Sequence, residues 1–149
     1  MAQTTLLGIQ DSSNYSGPGG YRQKITITLA DFQNMGAVLT GDILLMNLPP
    51  RSIVRLVMTK HSVALTGTGP LTAATVVVKT ANNATLGGAA FNVFQAVADS
   101  TSQLTIPAAL KENYATATPL LAGVVLTGGN ANVLLTGSVD IWITYEVLV

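Results

Sequence analysis

The sequence predicts an all-β fold: an antiparallel two-sheet sandwich, jelly-roll-like, carrying an extended N-terminal arm. Three observations lead there. Several segments alternate apolar and polar residues with the period of two that a half-buried strand requires. Gly, Pro and Asn clusters punctuate the chain between them, and no helical pattern is long enough to make a crossover between parallel strands. With 149 residues the chain has room for one domain with a core and not for two.

Residues 1–20 read as the arm and 21–149 as the sandwich. "DSSNYSGPGG" is turn and coil chemistry, and Pro18 among Gly17, Gly19 and Gly20 interrupts regular structure. The apolar run holding Leu6, Leu7 and Ile9 is more than a free tail needs, which points to docking on a neighbour. In "YRQKITITLA", Ile25, Ile27 and Leu29 share one face, and Arg22, Lys24, Thr26 and Thr28 share the other. The next stretch is a connection with one expected helical turn at Asp31 to Met35. "DILLMNL" is a strand ended by Pro49-Pro50, which cannot donate to a ladder.

"SIVRLVMTKHSVAL" is expected to place Ile53, Arg55, Val57, Thr59, His61 and Val63 on one face. Val54, Leu56, Met58, Lys60, Ser62 and Ala64 would then take the other. Neither face is clean, so Arg55, Lys60 and His61 are candidate interface residues beside the arm's Leu6, Leu7 and Ile9. A second reading stands next to it: the long stems lie on apolar surface with their heads in water, and inward charges protect a sheet edge. "LTAATVVVKT" is a β-branched strand. The spacing of Phe91 and Phe94 implies a bulge or short helix, and a further helical turn is expected at Ala108 to Asn113. "LLAGVVLTGGNANVLLTG" reads as a hairpin about Gly128-Gly129-Asn130. "SVDIWITYEVLV" alternates throughout, with Val139, Ile141, Ile143, Tyr145 and Val147 on one face and Ser138, Asp140, Trp142, Thr144 and Glu146 on the other.

Charged residues are only 9% of the chain, and seven basic residues balance seven acidic ones. A soluble domain carries about 25%. So sparse a charge, with no net repulsion, predicts a chain that lives in an oligomer or larger assembly. The mean hydropathy of +0.47 fits a membrane protein by value alone. Yet Thr, Asn, Ser and Gly interrupt every run short of the roughly 20 apolar residues a spanning helix needs. The start "MAQTTLLGIQDSS" has neither the basic region nor the long apolar region of a signal peptide. Aromatic residues, at 5%, are too few for the girdles of a membrane barrel. We therefore expect no membrane partner, and with no basic cluster no nucleic-acid partner.

No cofactor is expected. The chain has no cysteine and one histidine, which leaves no thiolate site and too few ligands for zinc. Nothing near His61 resembles a nucleophile elbow. Asp11, Asp31, Asp42, Asp99, Glu112, Asp140 and Glu146 are scattered, mostly where capping explains them. Asn14-Tyr15-Ser16 and Asn83-Ala84-Thr85 match the glycosylation sequon by chance, and Trp142 and Tyr145 face opposite ways, so no sugar-stacking platform forms. No enzyme assembles from these parts.

The order of features resembles a known group. "ITITLADF" is followed by "GDILLMNLPPRSIVRLVMTKHSVAL", a Gly-rich turn, "TVVVKT", a Phe-bearing segment, "LTIPA" and the closing "LLTGSVDIWITYEVLV". Over roughly residues 22–149 this is similar to small virion structural proteins of tailed bacteriophages, the capsid decoration (cement) or head-fibre-base proteins made beside the major capsid protein. The resemblance implies a β-sandwich, commonly a homotrimer, located on the capsid surface and bound to the major capsid protein, with no catalytic residues. The alternative function is a host-recognition or fibre module that binds glycan through loop tips such as 66–70 or 82–88.

Overall fold

The computed structural model describes residues 2–5, 20–81, 91–94, 100–104 and 116–148. They form two stacked sheets. The first holds five strands in the order β1 (Ala2–Thr5), β3 (Thr40–Leu48), β8 (Thr118–Thr127), β5 (Ala73–Thr80) and β6 (Phe91–Asn92). The second holds four, in the order β2 (Gly20–Thr28), β9 (Leu134–Val147), β4 (Ser52–Gly67) and β7 (Ser100–Leu104). From β2 to β5 each strand lies in the sheet opposite to its predecessor, and β7, β8 and β9 alternate again. The chain thus crosses repeatedly from one sheet to the other, and one face of each sheet is buried against the other.

The alternation read from the sequence is what fills the space between the sheets. Ile25 and Ile27 of β2, and Val139, Ile141 and Ile143 of β9, are buried, while Lys24, Thr26 and Trp142 face outward. From the first sheet come Ile43, Leu45 and Leu48 of β3, Leu120, Ala122 and Val124 of β8, and Ala74, Val76 and Val78 of β5. Between β2 and β3 lies α1 (Leu29–Gln33), which sends Phe32 into the core. The turn begins two residues before the Asp31–Met35 expected, with Thr28 at its N-cap; Asp31 Oδ2, in its first turn, accepts from Thr28 N–H at 2.8 Å and from Thr28 Oγ1 at 2.7 Å. Val93 ties the sheets by main chain, donating to Ala74 O at 3.0 Å and accepting from Leu65 N at 3.0 Å.

Several expectations are corrected. The segment about Gly128 is not a hairpin, because β8 and β9 lie in different sheets and pair with other strands. The chain crosses between them through a 3-10 turn, Ala131–Val133, capped by Asn130 Oδ1, which accepts from Asn132 N at 3.1 Å. Gly128 itself has φ +82, and a Cβ there would lie 2.0 Å from Pro70 O, so the crossing needs glycine. Phe91 belongs to a two-residue strand rather than to a bulge or helix. Every described pairing within the sandwich is antiparallel, as expected; the arm's β1 adds to the edge of the first sheet parallel to β3, Ala2 opposite Gly41 through Thr5 opposite Leu44. Arm residues Leu6, Leu7 and Ile9, the loop 82–88 and the turn expected at 108–113 lie outside the described residues.

Candidate functional site

Arg55 owes its position to a register shift. In the pairing of β4 with β9, Val54 opposes Tyr145 and Leu56 opposes Thr144, so Arg55 is the extra residue of a bulge. The bulge undoes the faces expected from simple alternation. Val54, Val57, Thr59 and His61 are buried, whereas Ile53, Leu56, Met58 and Lys60 are only half covered. Arg55 is turned to the outer face, where its guanidinium donates to Glu146 Oε2 at 2.6 Å; the two side chains are 48% and 34% exposed. Strand β7 pairs with β4 only from Val57 to His61. At Arg55 the flank of β4 away from β9 therefore has no strand partner among the described residues, and a charge in a bulge there also suits edge protection.

Lys60 lies half-buried on the same outer face, opposite Asp140. His61 is different. It is wholly buried among inward-facing residues of β4, so it belongs to the core rather than to a surface. A shift at Ser62 then turns Val63 outward, 45% exposed.

The outer face of the second sheet is a row-by-row polar surface. Trp142 has Met58 and Lys24 as its cross-strand neighbours, and Lys24 Nζ stands 5.6 Å from the centre of the indole. The same ammonium lies 3.2 Å from Asp140 Oδ2, and Thr26 Oγ1 donates to Asp140 Oδ1 at 2.6 Å. Neither Asp140 nor Asp42 is a cap; both are strand residues partnered by lysines. Asp42 Oδ1 sits 2.8 Å from Lys79 Nζ, off the line that a hydrogen bond prefers, and both side chains are nearly covered. Lys79 reaches it across β8 because Gly123 leaves the path open: a Cβ there would meet Lys79 Cε at 3.0 Å.

At the end of this sheet where β9 stops, Tyr21 stacks on Tyr145 with ring centres 5.4 Å apart. Burial, and then the neighbouring Tyr21, raise the Tyr145 phenol above its ordinary value of 10.0. The turn Pro49-Pro50-Arg51 closes the same end, with Leu148 N donating to Arg51 O at 2.9 Å. Sequence reasoning missed this convergence of Tyr21, Arg22, Arg51 and Arg55, because only the pairing of β2, β9 and β4 brings them together. Among the described residues no group of three His, Asp or Glu could hold a metal ion, and no helix is long and apolar enough to cross a membrane.

No family model matches the sequence, and no curated protein matches it. Solved structures do. A chain of the Ralstonia phage GP4 capsid is similar with a TM-score of 0.62 at 19% identity, over 99% of both chains. A chain of the cyanophage Pam1 capsid asymmetric unit is similar with a TM-score of 0.55 at 21% identity, over 94% of both. The likeness is one of fold, and it spans nearly the whole length of each partner.

Proposed function

We propose that this chain is a non-enzymatic structural protein of a tailed-phage virion, which self-associates as a trimer and binds the major capsid protein as a decoration or cement protein. The observation that carries the reading is the end-to-end fold likeness to chains from two phage capsids, with neither partner left a large unmatched domain. The composition supports it independently: 9% charge with zero net charge suits a surface spent on contacts. The mechanism is mechanical. A protein that binds only the mature shell stabilises it by about 2.7 kcal/mol per site at a hundredfold excess over Kd, and the sites act together over the lattice.

The arm takes part in this reading. Ala2–Thr5 is held by main-chain pairing along β3, so the following residues Leu6, Leu7 and Ile9 start from a fixed edge of the first sheet and reach a neighbouring copy or the shell. Arg55 and Lys60 lie on the outer face of the second sheet and are the contact residues there.

The test is compositional and mechanical. Purified particles encoding this chain are separated into heads and tails and quantified by mass spectrometry. The reading expects the chain in the heads, in fixed ratio to the major capsid protein. Heads assembled without it should release their genome at a lower temperature. Its absence from heads, or an unchanged release temperature, would reject the cement role.

A further inference from the structure

The chain has three arginines, Arg22, Arg51 and Arg55, and all three lie toward one end of the four-stranded sheet. Arg22 opposes Thr144, which opposes Leu56, so Arg22 and the bulged Arg55 stand on one outer face separated by a single strand. Arg51 sits at the tip just before β4, its carbonyl tied to Leu148. All three are exposed. Tyr21 lies at the same end but on the other face of the sheet, stacked on the core-packed Tyr145. Glu146, already bonded to Arg55, is the only carboxylate this end holds among the described residues.

From this placement we infer that the Arg22–Arg51–Arg55 end is the docking surface for a carboxylate-rich patch on a different protein. This rests on the virion reading, under which that protein is the shell subunit. Two features specify the chemistry. Arginine offers a planar fork matched to carboxylates, and it is one of the residues enriched at contact centres. Arg51 is also held in place. It has φ 63, a left-handed conformation uncommon for a residue with a side chain, after two prolines and with Ser52 Oγ donating to Pro49 O at 2.6 Å. The backbone that carries this guanidinium is already ordered, so only its side-chain rotamers remain to be fixed on binding.

Among the described residues, a second copy supplies no free carboxylate to match it. Each described carboxylate is engaged inside its own protomer: Asp31 with Thr28, Asp42 with Lys79, Asp140 with Lys24 and Thr26, and Glu146 with Arg55. Nucleic acid fits less well than protein, because a backbone track needs cations repeated along a strip rather than three gathered at one end of a neutral chain.

The experiment titrates the full chain onto purified head shells that lack it, at about 50 and about 300 mM salt, where screening of exposed charges differs severalfold. Variants are Arg22→Glu, Arg51→Asn, which tolerates the left-handed backbone, and Thr127→Glu at the opposite end of the first sheet as control. Melting temperature monitors folding, and Arg22→Gln replaces Arg22→Glu if the latter unfolds. The inference expects wild-type affinity to fall about tenfold or more with salt, and each arginine variant to bind about tenfold more weakly, with the control within about twofold. Wild-type binding that ignores salt, or arginine variants that bind as wild type, would overturn it while leaving the virion reading intact. So would wild-type protein that prefers duplex DNA to shells at equal salt. If wild type binds no shells under any condition, the virion reading has failed and this inference falls with it.

Discussion

Lys79 and Asp42 form an ion pair with side chains only 11% and 12% exposed, on the outer face of the first sheet. Removing one partner of such a pair strands the other charge away from water, and that loss outweighs the net worth of the pair. Lys79→Ala should therefore destabilise by about 3–5 kcal/mol, whereas the double change Asp42→Leu with Lys79→Met should be nearly neutral. Urea unfolding of both variants at neutral pH measures the difference, and equal losses would place the cost in the lost pair and its packing rather than in the stranded charge. Tyr145 makes a pH-dependent statement. Its phenol is raised above 10.0, first by burial and then by Tyr21, so the folded state keeps this proton to higher pH than the unfolded chain does. The stability linked to Tyr145 is whole below the unfolded value near 10.0 and is lost as pH rises through the folded one. Tyr145→Phe should flatten the fall in melting temperature above pH 10; an unchanged alkaline slope would assign the effect elsewhere.

Strand β4 shows how an element keeps its faces in order. Its bulge at Arg55 places two residues against one of β9, so Val54 points inward and Leu56 outward although both have even numbers and one residue lies between them. Deleting Arg55 removes the extra residue without moving any other side chain to the wrong face. We expect cooperative unfolding to survive this deletion with a loss of no more than about 1–2 kcal/mol. Deleting Met58 instead, in regular pairing with Trp142 and Gln103, would force a register slip and should abolish the cooperative melt. Circular dichroism melts of the two deletions give the comparison, and equal damage would mean that the bulge absorbs nothing.

For the whole molecule, a chain with so few charges is expected to bury further surface against copies of itself. Light scattering at micromolar concentration should give a mass about three times 15.4 kDa; a 15.4 kDa monomer would rule out the trimer. Removing residues 2–16 takes away β1 and the apolar Leu6, Leu7 and Ile9 but none of the strands that fill the core. The truncated chain should melt close to the full one and decorate heads poorly. Undiminished decoration would reduce the arm to a tail.

The sequence by itself determined the fold class and the faces of its most regular strands. Strand alternation is written in consecutive residues, so Ile25 and Ile27 of β2 and Ile141 and Ile143 of β9 were legible as core before any pairing was known. A capping role for Asp31 is legible too, since its partner Thr28 lies three residues away, but the turn begins at Leu29 rather than at Asp31. Where regular alternation failed, so did the reading. The bulges of β4 exist only in its pairing with β9, and they moved Val54 inward and left His61 in the core. Sheet assignment was hidden for the same reason: β8 and β9 are neighbours in the chain, and a tight turn between them carries no mark of which sheet each will join. The roles of Asp42 and Asp140 depend on lysines 37 and 116 positions away, with the strand order deciding that they meet. The arginine end has the same origin. Residues 22, 51 and 55 converge because β2 and β4 flank β9, and a contact between distant segments is set by the closure of the sheet rather than by any local preference of the chain.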